Sequence, residues 1–237
     1  MLLLRNIAFY IAFYTGSLLL SFGAAGASYV RPQWVRPLCD WWSAWHHWCC
    51  VNLLGLRIVE TGARPDRPVL YAIKHESFFE AIAMAHTFDY PAGVAKQELF
   101  DIPGWGRAGK AYGLIPVARD QGARALRAML KQARAATEAG RPIVIFPEGT
   151  RVPHGTRPPL QSGFAALYKL FGLPVVPVAI DSGPIYHRRL KPRGTITWKF
   201  GEVIEPGLPR AEIEARVRDA INALNASDEP SQTPERA

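Results

Sequence analysis

The 237-residue chain is long enough for one sizeable domain with an appendage, and its composition is that of a globular protein. Its 28 Lys and Arg against 20 Asp and Glu leave a formal charge of +8, which suits an anionic membrane or a phosphorylated small molecule. Nucleic acid is set aside because no recognised binding motif appears, and the odd trio Cys39, Cys49 and Cys50 makes a poor disulfide framework, so a reducing setting is expected.

Asn6 to Val30 is a long apolar run, uncharged after Arg5 and long enough to cross a bilayer. Gly23-Ala-Ala-Gly-Ala-Ser28 offers small residues like those of a signal-peptide cleavage site. The run exceeds the usual apolar core of such a peptide, however, and more membrane-favouring sequence follows. Arg31-Pro-Gln-Trp-Val-Arg-Pro37 reads as a basic interfacial turn, and Leu38 to Leu54 carries Trp41, Trp42, Trp45 and Trp48. Indoles prefer the headgroup layer, where the ring is half buried and the N–H stays wet. Residues 1–55 are therefore expected to form an uncleaved, membrane-associated helical pair that spans the bilayer or lies in its interface. Cys39, His46 and Cys50 would fall roughly on one helix face but match no standard zinc spacing, so no metal is assigned.

From about Ile58 short apolar runs alternate with helical patterns. Strands are expected at Val69–Ile73, Gly93–Lys96, Leu114–Val117, Ile143–Phe146, Val175–Ile180 and Thr195–Phe200. Helices are expected at Phe79–Thr87, Phe100–Ala111, Gln121–Ala139, Phe164–Phe171 and Arg210–Leu224. This alternation predicts an α/β fold over residues 56–225, a largely parallel sheet flanked by helices. Leu126, Met129, Leu130 and Ala133 make an apolar stripe on the third helix, leaving Arg124, Arg127, Lys131 and Arg134 on a basic face that is ordinarily solvated but could also touch anionic lipid. Residues 226–237 are polar and Pro-containing and are expected to fray.

After the first of these strands comes Lys74-His-Glu-Ser-Phe-Phe-Glu80. On one continuous helix His75 and Glu80 would face poorly matched directions, so they meet most easily with His75 before the helix and Glu80 in its first turn. A histidine oriented by a carboxylate at a strand-to-helix junction is a general-base arrangement for deprotonating an alcohol or activating a water. Ser77-Phe-Phe-Glu80 also fits a capping box, in which Glu80 merely reaches back to the Ser77 amide.

Three later segments also follow expected strands, so they fall at one sheet edge, where ligands of open α/β sheets collect. Gly113 to Arg119 is a strand that ends in Arg119. Ile143-Val-Ile-Phe-Pro-Glu-Gly-Thr-Arg151 runs into Pro147, which stops it, and Gly149, which permits a tight turn. Backbone amides there, with the Thr150 hydroxyl and the Arg151 guanidinium, would hold a phosphate. Glu148 is out of place beside a phosphate unless it pairs with Arg or accepts a ligand hydroxyl, and the turn would otherwise be a surface loop with a local Glu–Arg pair. Val175 to Ile180 carries an unusual internal Pro177.

In this order the four segments resemble the glycerolipid acyltransferase family, whose members carry His–four residues–Asp, a strand ending in Arg, Phe-Pro-Glu-Gly-Thr-Arg, and an apolar segment with a central Pro. His75, Arg119, Phe146 to Arg151 and Pro177 match these, and Ala95-Lys-Gln-Glu-Leu99 resembles a family stretch that points to Lys96. Glu80 stands where the family most often has Asp. The resemblance implies transfer of a fatty acyl chain from an acyl-carrier protein or coenzyme A thioester to the free sn-2 hydroxyl of 1-acyl-glycerol 3-phosphate, giving phosphatidic acid. It implies His75 as base, Glu80 as its orienting partner, and Lys96, Arg119, Glu148, Gly149, Thr150 and Arg151 around the acceptor phosphate. No covalent acyl-enzyme and no cofactor are implied, and the setting would be the cytoplasmic side of the inner membrane. Other lysolipid acceptors such as a lyso-ornithine lipid, a membrane lipid hydrolase, and a non-enzymatic anionic-lipid binder are the competing readings.

Overall fold

Apolar side chains recur on every side of the first long segment, and it folds as helix α1 (Leu2–Val30). One face, with Phe9, Phe13 and Ala24, packs into the protein; the other leaves Leu4, Ile7, Ile11, Leu18 and Phe22 exposed. A short 3₁₀ turn (Pro32–Trp34) leads into α2 (Val35–Trp48) and then a π-turn (Cys49–Leu53). The computed structural model describes residues 1–117 and 122–225, without the side chains of 122–126 and 162.

Seven strands follow among the described residues: β1 (Leu56–Thr61), β2 (Leu70–Ile73), β3 (Ala92–Lys96), β4 (Ile115–Val117), β5 (Ile143–Ile145), β6 (Val175–Ile180) and β7 (Gly194–Phe200). They form one sheet in the order β1-β7-β6-β2-β5-β3-β4. The five from β6 to β4 are mutually parallel, whereas β7 runs antiparallel to β6 and carries β1 parallel to itself. The helices are α3 (Phe79–Thr87), α4 (Trp105–Tyr112), α5 (Gly122–Glu138), α6 (Ser162–Phe171), the short α7 (Gly183–Tyr186) and α8 (Arg210–Ile221).

The alternation of β2 sorts the layers: Tyr71 and Ile73 face a cluster with Phe9, Phe13 and Phe79, while Leu70 and Ala72 face one with Met129, Phe164 and Ile213. Helices α1, α2 and α3 thus cover one face of the sheet, and α5, α6 and α8 the other. The largely parallel α/β expectation agrees with this sheet.

Several local expectations need correction. Strand β1 was not anticipated. Among the described residues it pairs only with β7, far along the chain, and its residues are half exposed, so neither periodicity nor an apolar run marks it. The helix expected at Phe100–Ala111 is broken: a 3₁₀ turn (Gln97–Asp101) ends at Ile102-Pro103-Gly104, and α4 starts only after Gly104, whose φ is +74°. The tryptophans also divide. Trp42 and Trp45 donate to Ser17 Oγ and the Ala12 carbonyl of α1, while Trp34, Trp41 and Trp48 are exposed. Arg119 and the tail 226–237 lie outside the described residues.

Pro177 sits inside β6 because β7 pairs only with Val178, Ala179 and Ile180, beyond it. Gly201 packs there instead, and a side chain on it would come within 3.0 Å of Pro177 Cγ.

Candidate active site

Strand β2 is buried throughout and delivers Lys74 and His75 to the carboxyl edge of the parallel strands. His75 precedes α3, and Glu80 lies in that helix's first turn. His75 Nδ1 is 2.9 Å from Glu80 Oε1. The same oxygen accepts the amides of Glu76 (2.6 Å) and Ser77 (2.7 Å), while Oε2 accepts the Ser77 and Ser182 hydroxyls at 3.1 and 2.7 Å. Glu80 therefore does both things the sequence left open: it closes the start of α3 and it meets the imidazole. A fully buried carboxylate so surrounded by donors is an acceptor for Nδ1–H, which leaves the lone pair on Nε2. The imidazole is otherwise packed on Phe146, 4.2 Å between ring centroids and 23° from parallel, with 16 % of the side chain exposed.

The turn after β5 is stapled to this histidine. The Val152 amide donates to the His75 carbonyl at 2.8 Å, the His75 amide donates to Glu148 Oε2 at 3.1 Å, and Gly149 turns the chain with φ +68°. Glu148 was expected at the substrate surface, and here the geometry corrects the sequence. Its side chain is fully buried, and its Oε1 pairs with Lys74 Nζ at 2.7 Å. That ammonium also donates to the Thr156 carbonyl and to Asn222 Oδ1, both at 2.8 Å, so all three of its protons are used. A buried lysine needs such a set of acceptors, and this requirement was the available signal for Lys74.

Thr150 and Arg151 are exposed on the same turn, with the Arg151 guanidinium 4.0 Å from the Phe78 ring centroid. Lys96 is exposed at the carboxyl end of β3, on the same edge. Arg119 would follow β4 and falls outside the described residues.

A second histidine–carboxylate pair adjoins the first. Glu76 Oε1 is 2.9 Å from His154 Nδ1, and Oε2 accepts the Gly183 amide at 2.8 Å. Burial pushes the Glu76 carboxyl above its ordinary pKa, against those two hydrogen bonds, and neighbouring Glu80 raises it further. The sequence marked Ser77 only as a helix cap and gave no sign of Ser182, because a serine carries no pattern until a fold brings it to a carboxylate. In α2, His46 Nε2 meets the Tyr186 hydroxyl at 2.8 Å and Cys50 Sγ at 3.4 Å. Among the described residues no group of three or more His, Cys, Asp or Glu is placed to hold a metal ion.

Fold and site together define an α/β protein with a carboxylate-held histidine at the carboxyl edge of its sheet and a cationic turn beside it. Residues 56–181 match the family model described as Acyltransferase, and the chain belongs to that family. It is 30 % identical over 242 residues to the 1-acyl-sn-glycerol-3-phosphate acyltransferase of Pseudomonas aeruginosa, an alignment covering 97 % of this chain and 93 % of that one. The enzyme of the same name from Helicobacter pylori is 29 % identical over 144 residues, 60 % of each chain. The fold matches the crystal structure of the 1-acyl-sn-glycerophosphate (LPA) acyltransferase PlsC of Thermotoga maritima. The TM-score is 0.70 at 21 % identity, covering 96 % of this chain and 99 % of that one.

Proposed function

We propose that this chain transfers a fatty acyl group from an acyl thioester to the sn-2 hydroxyl of 1-acyl-sn-glycerol 3-phosphate, forming phosphatidic acid. The observation that carries this reading is His75, held at Nδ1 by Glu80 and, among the described residues, without a partner at Nε2, beside the turn of Thr150 and Arg151. The near full-length similarity to the Pseudomonas aeruginosa enzyme supports the acceptor.

In the reaction, His75 Nε2 takes the proton of the acceptor hydroxyl as its oxygen attacks the thioester carbonyl. Glu80 keeps the ring in the competent tautomer and stabilises the imidazolium that forms. The tetrahedral intermediate collapses, the C–S bond breaks, and the thiol leaves with the proton His75 had taken. No acyl-enzyme intervenes. Thr150, Arg151, Lys96 and Arg119 hold the acceptor phosphate, and coenzyme A or acyl-carrier protein bears the thioester.

The acceptor lives in a bilayer, and α1 brings the protein there. Both ends of α1 are tied to the body of the protein: Arg5 Nε donates to the Leu53 carbonyl, Asn6 Nδ2 to that of Lys191, and Arg107 Nε to Ser28 Oγ. A helix fastened along its length in this way lies in the interface with its exposed face in the acyl layer, and the catalytic domain sits on the cytoplasmic surface.

The test is a panel on purified protein. Acyl-CoA and acyl-carrier protein are each offered with 1-acyl-sn-glycerol 3-phosphate, a lyso-ornithine lipid, or no acceptor. Phosphatidic acid formed in preference to the ornithine product is expected, and His75→Ala should lower kcat on the order of 10²–10⁴-fold. Release of free fatty acid with no acyl transfer would sink the reading in favour of a hydrolase.

A further inference from the structure

Between α7 and β7 runs His187-Arg-Arg-Leu-Lys-Pro-Arg193, and no acidic residue occurs from Ser182 to Gly201. Arg188, Arg189 and Arg193 are exposed, and none of them has a carboxylate within 4.0 Å among the described residues. Of the other exposed arginines, Arg36, Arg64, Arg67, Arg157, Arg210 and Arg216 have a local carboxylate, whereas Arg31, Arg57, Arg107, Arg127, Arg134, Arg151 and Arg218 have none among the described residues; what sets this loop apart is that three such arginines fall within six residues. Arg193 is also packed beside a second cation. A Cβ on Gly55 would stand 3.2 Å from both Arg193 Nε and Arg5 Nη2, and that Arg5 nitrogen is buried without a hydrogen-bond partner among the described residues. Two guanidinium groups this close repel each other, and an anion beside the exposed Arg193 lowers that cost.

The position of the loop says which anion. It is pinned to the first turns of α1: the Lys191 amide donates to Asn6 Oδ1 at 2.8 Å, and the Tyr10 hydroxyl donates to the Arg189 carbonyl. Lys191 is buried, spending its ammonium on the Arg188 carbonyl and Tyr10 Oη, so it fixes the loop while the arginines stay outside. Leu190, 45 % exposed, belongs to the same loop, and Leu3, Leu4 and Ile7 are exposed on the first turns of α1 to which that loop is bonded. Exposed arginines at the border of an exposed apolar face match the layering of a bilayer surface, acyl chains below and phosphates above.

From this we propose that the loop 187–193, with Arg5, is a docking surface for anionic phospholipid headgroups, separate from the acceptor phosphate site, and that it gives the protein a preference for negatively charged membranes. The proposal rests on the interfacial reading of α1. An acidic acyl-carrier protein would match the charge but not the leucine and the apolar helix face beside it.

The experiment is co-sedimentation of the full chain with vesicles of phosphatidylcholine alone and of phosphatidylcholine mixed equally with phosphatidylglycerol. Wild type should partition more strongly onto the mixed vesicles, and this excess should fall as salt is raised. The triple variant Arg188→Gln/Arg189→Gln/Arg193→Gln should lose about fivefold of the excess per charge removed, since each cation near an anionic surface contributes on the order of 1 kcal/mol. Its binding to neutral vesicles should not change. Lys131→Gln/Arg134→Gln, on the exposed face of α5 across the sheet, removes two charges and should keep the excess, which separates this surface from net charge. Equal binding of wild type to both vesicles, a salt-independent excess, or an excess retained by the triple variant would overturn the proposal. So would a raised donor KM with acyl-carrier protein alongside unchanged vesicle preference, which would make the loop a carrier-protein site. Failure to bind either vesicle would instead count against the membrane reading of α1.

Discussion

At the scale of single residues, Glu80 and Glu76 are neighbouring buried carboxylates with opposite consequences. Glu80 is surrounded by backbone amides and hydroxyls that favour an acceptor there, and its link to His75 Nδ1 is one contact of several. Glu80→Gln keeps the shape but places an amide NH₂ among those donors. It should lower kcat on the order of 10²-fold or more while leaving the acceptor KM nearly unchanged, as steady-state kinetics would show. An unchanged kcat would reduce Glu80 to a helix-closing residue. Glu76, by contrast, is held above its ordinary pKa by burial, so the folded state binds more protons than the unfolded state as pH climbs past about 4.3. Its contribution therefore falls with rising pH. Glu76→Gln, which can still accept the Gly183 amide, should gain stability relative to wild type as pH rises above about 4.3, and urea unfolding at a series of pH values above it measures the difference. His75, Glu80, Thr150 and Arg151 were legible because their spacing and order carry chemistry. Glu76 and His154 were not, since nothing in the chain announces that residues 78 apart will share a hydrogen bond.

Elements were legible where one local force dominates. Strands β2, β5 and β6 are continuous apolar runs, and α5 follows its stripe, with Met129 and Ala133 buried and Arg127, Lys131 and Arg134 exposed. The N-terminal helix was legible as a helix but not as a docked one, because both of its faces are apolar for different reasons. Phe9 and Phe13 pack against protein, while Ile11 and Leu18 are 65 % and 61 % exposed. Hydropathy sees one uniform segment, and only the contacts separate the faces. Leu18→Glu should release the protein from membranes with little change in unfolding free energy, whereas Phe9→Ala should cost about 3–5 kcal/mol and leave any folded protein membrane-bound. Membrane fractionation read beside urea unfolding distinguishes them, and a Leu18→Glu protein that stays with the membrane would place the lipid contact elsewhere.

For the molecule as a whole, the sheet order explains why one edge collects the site: β6, β2 and β5 are adjacent and parallel, so Ser182, His75 and the turn at 147–151 emerge side by side. The sequence supports parallel strands but not their neighbours, because adjacency is decided by packing between segments about a hundred residues apart. The group that binds these parts together is Lys74, which reaches Glu148 on the turn, Thr156 beyond it and Asn222 just past α8. A buried ion pair of this kind stabilises little relative to apolar residues, yet losing one partner strands a charge in the interior. Lys74→Met should therefore cost about 3–5 kcal/mol in urea unfolding. Adding Glu148→Gln should restore most of that loss, since the amide oxygen still accepts the His75 N–H and no charge remains buried. If the double variant recovers stability and kcat together, Lys74 serves the site by neutralising Glu148. If stability returns while kcat stays low, the ammonium's links to Thr156 and Asn222 hold the turn at the distance catalysis requires. A double variant no more stable than Lys74→Met would show that the cost lies in the lost packing of the lysine, and the ion-pair account would fall.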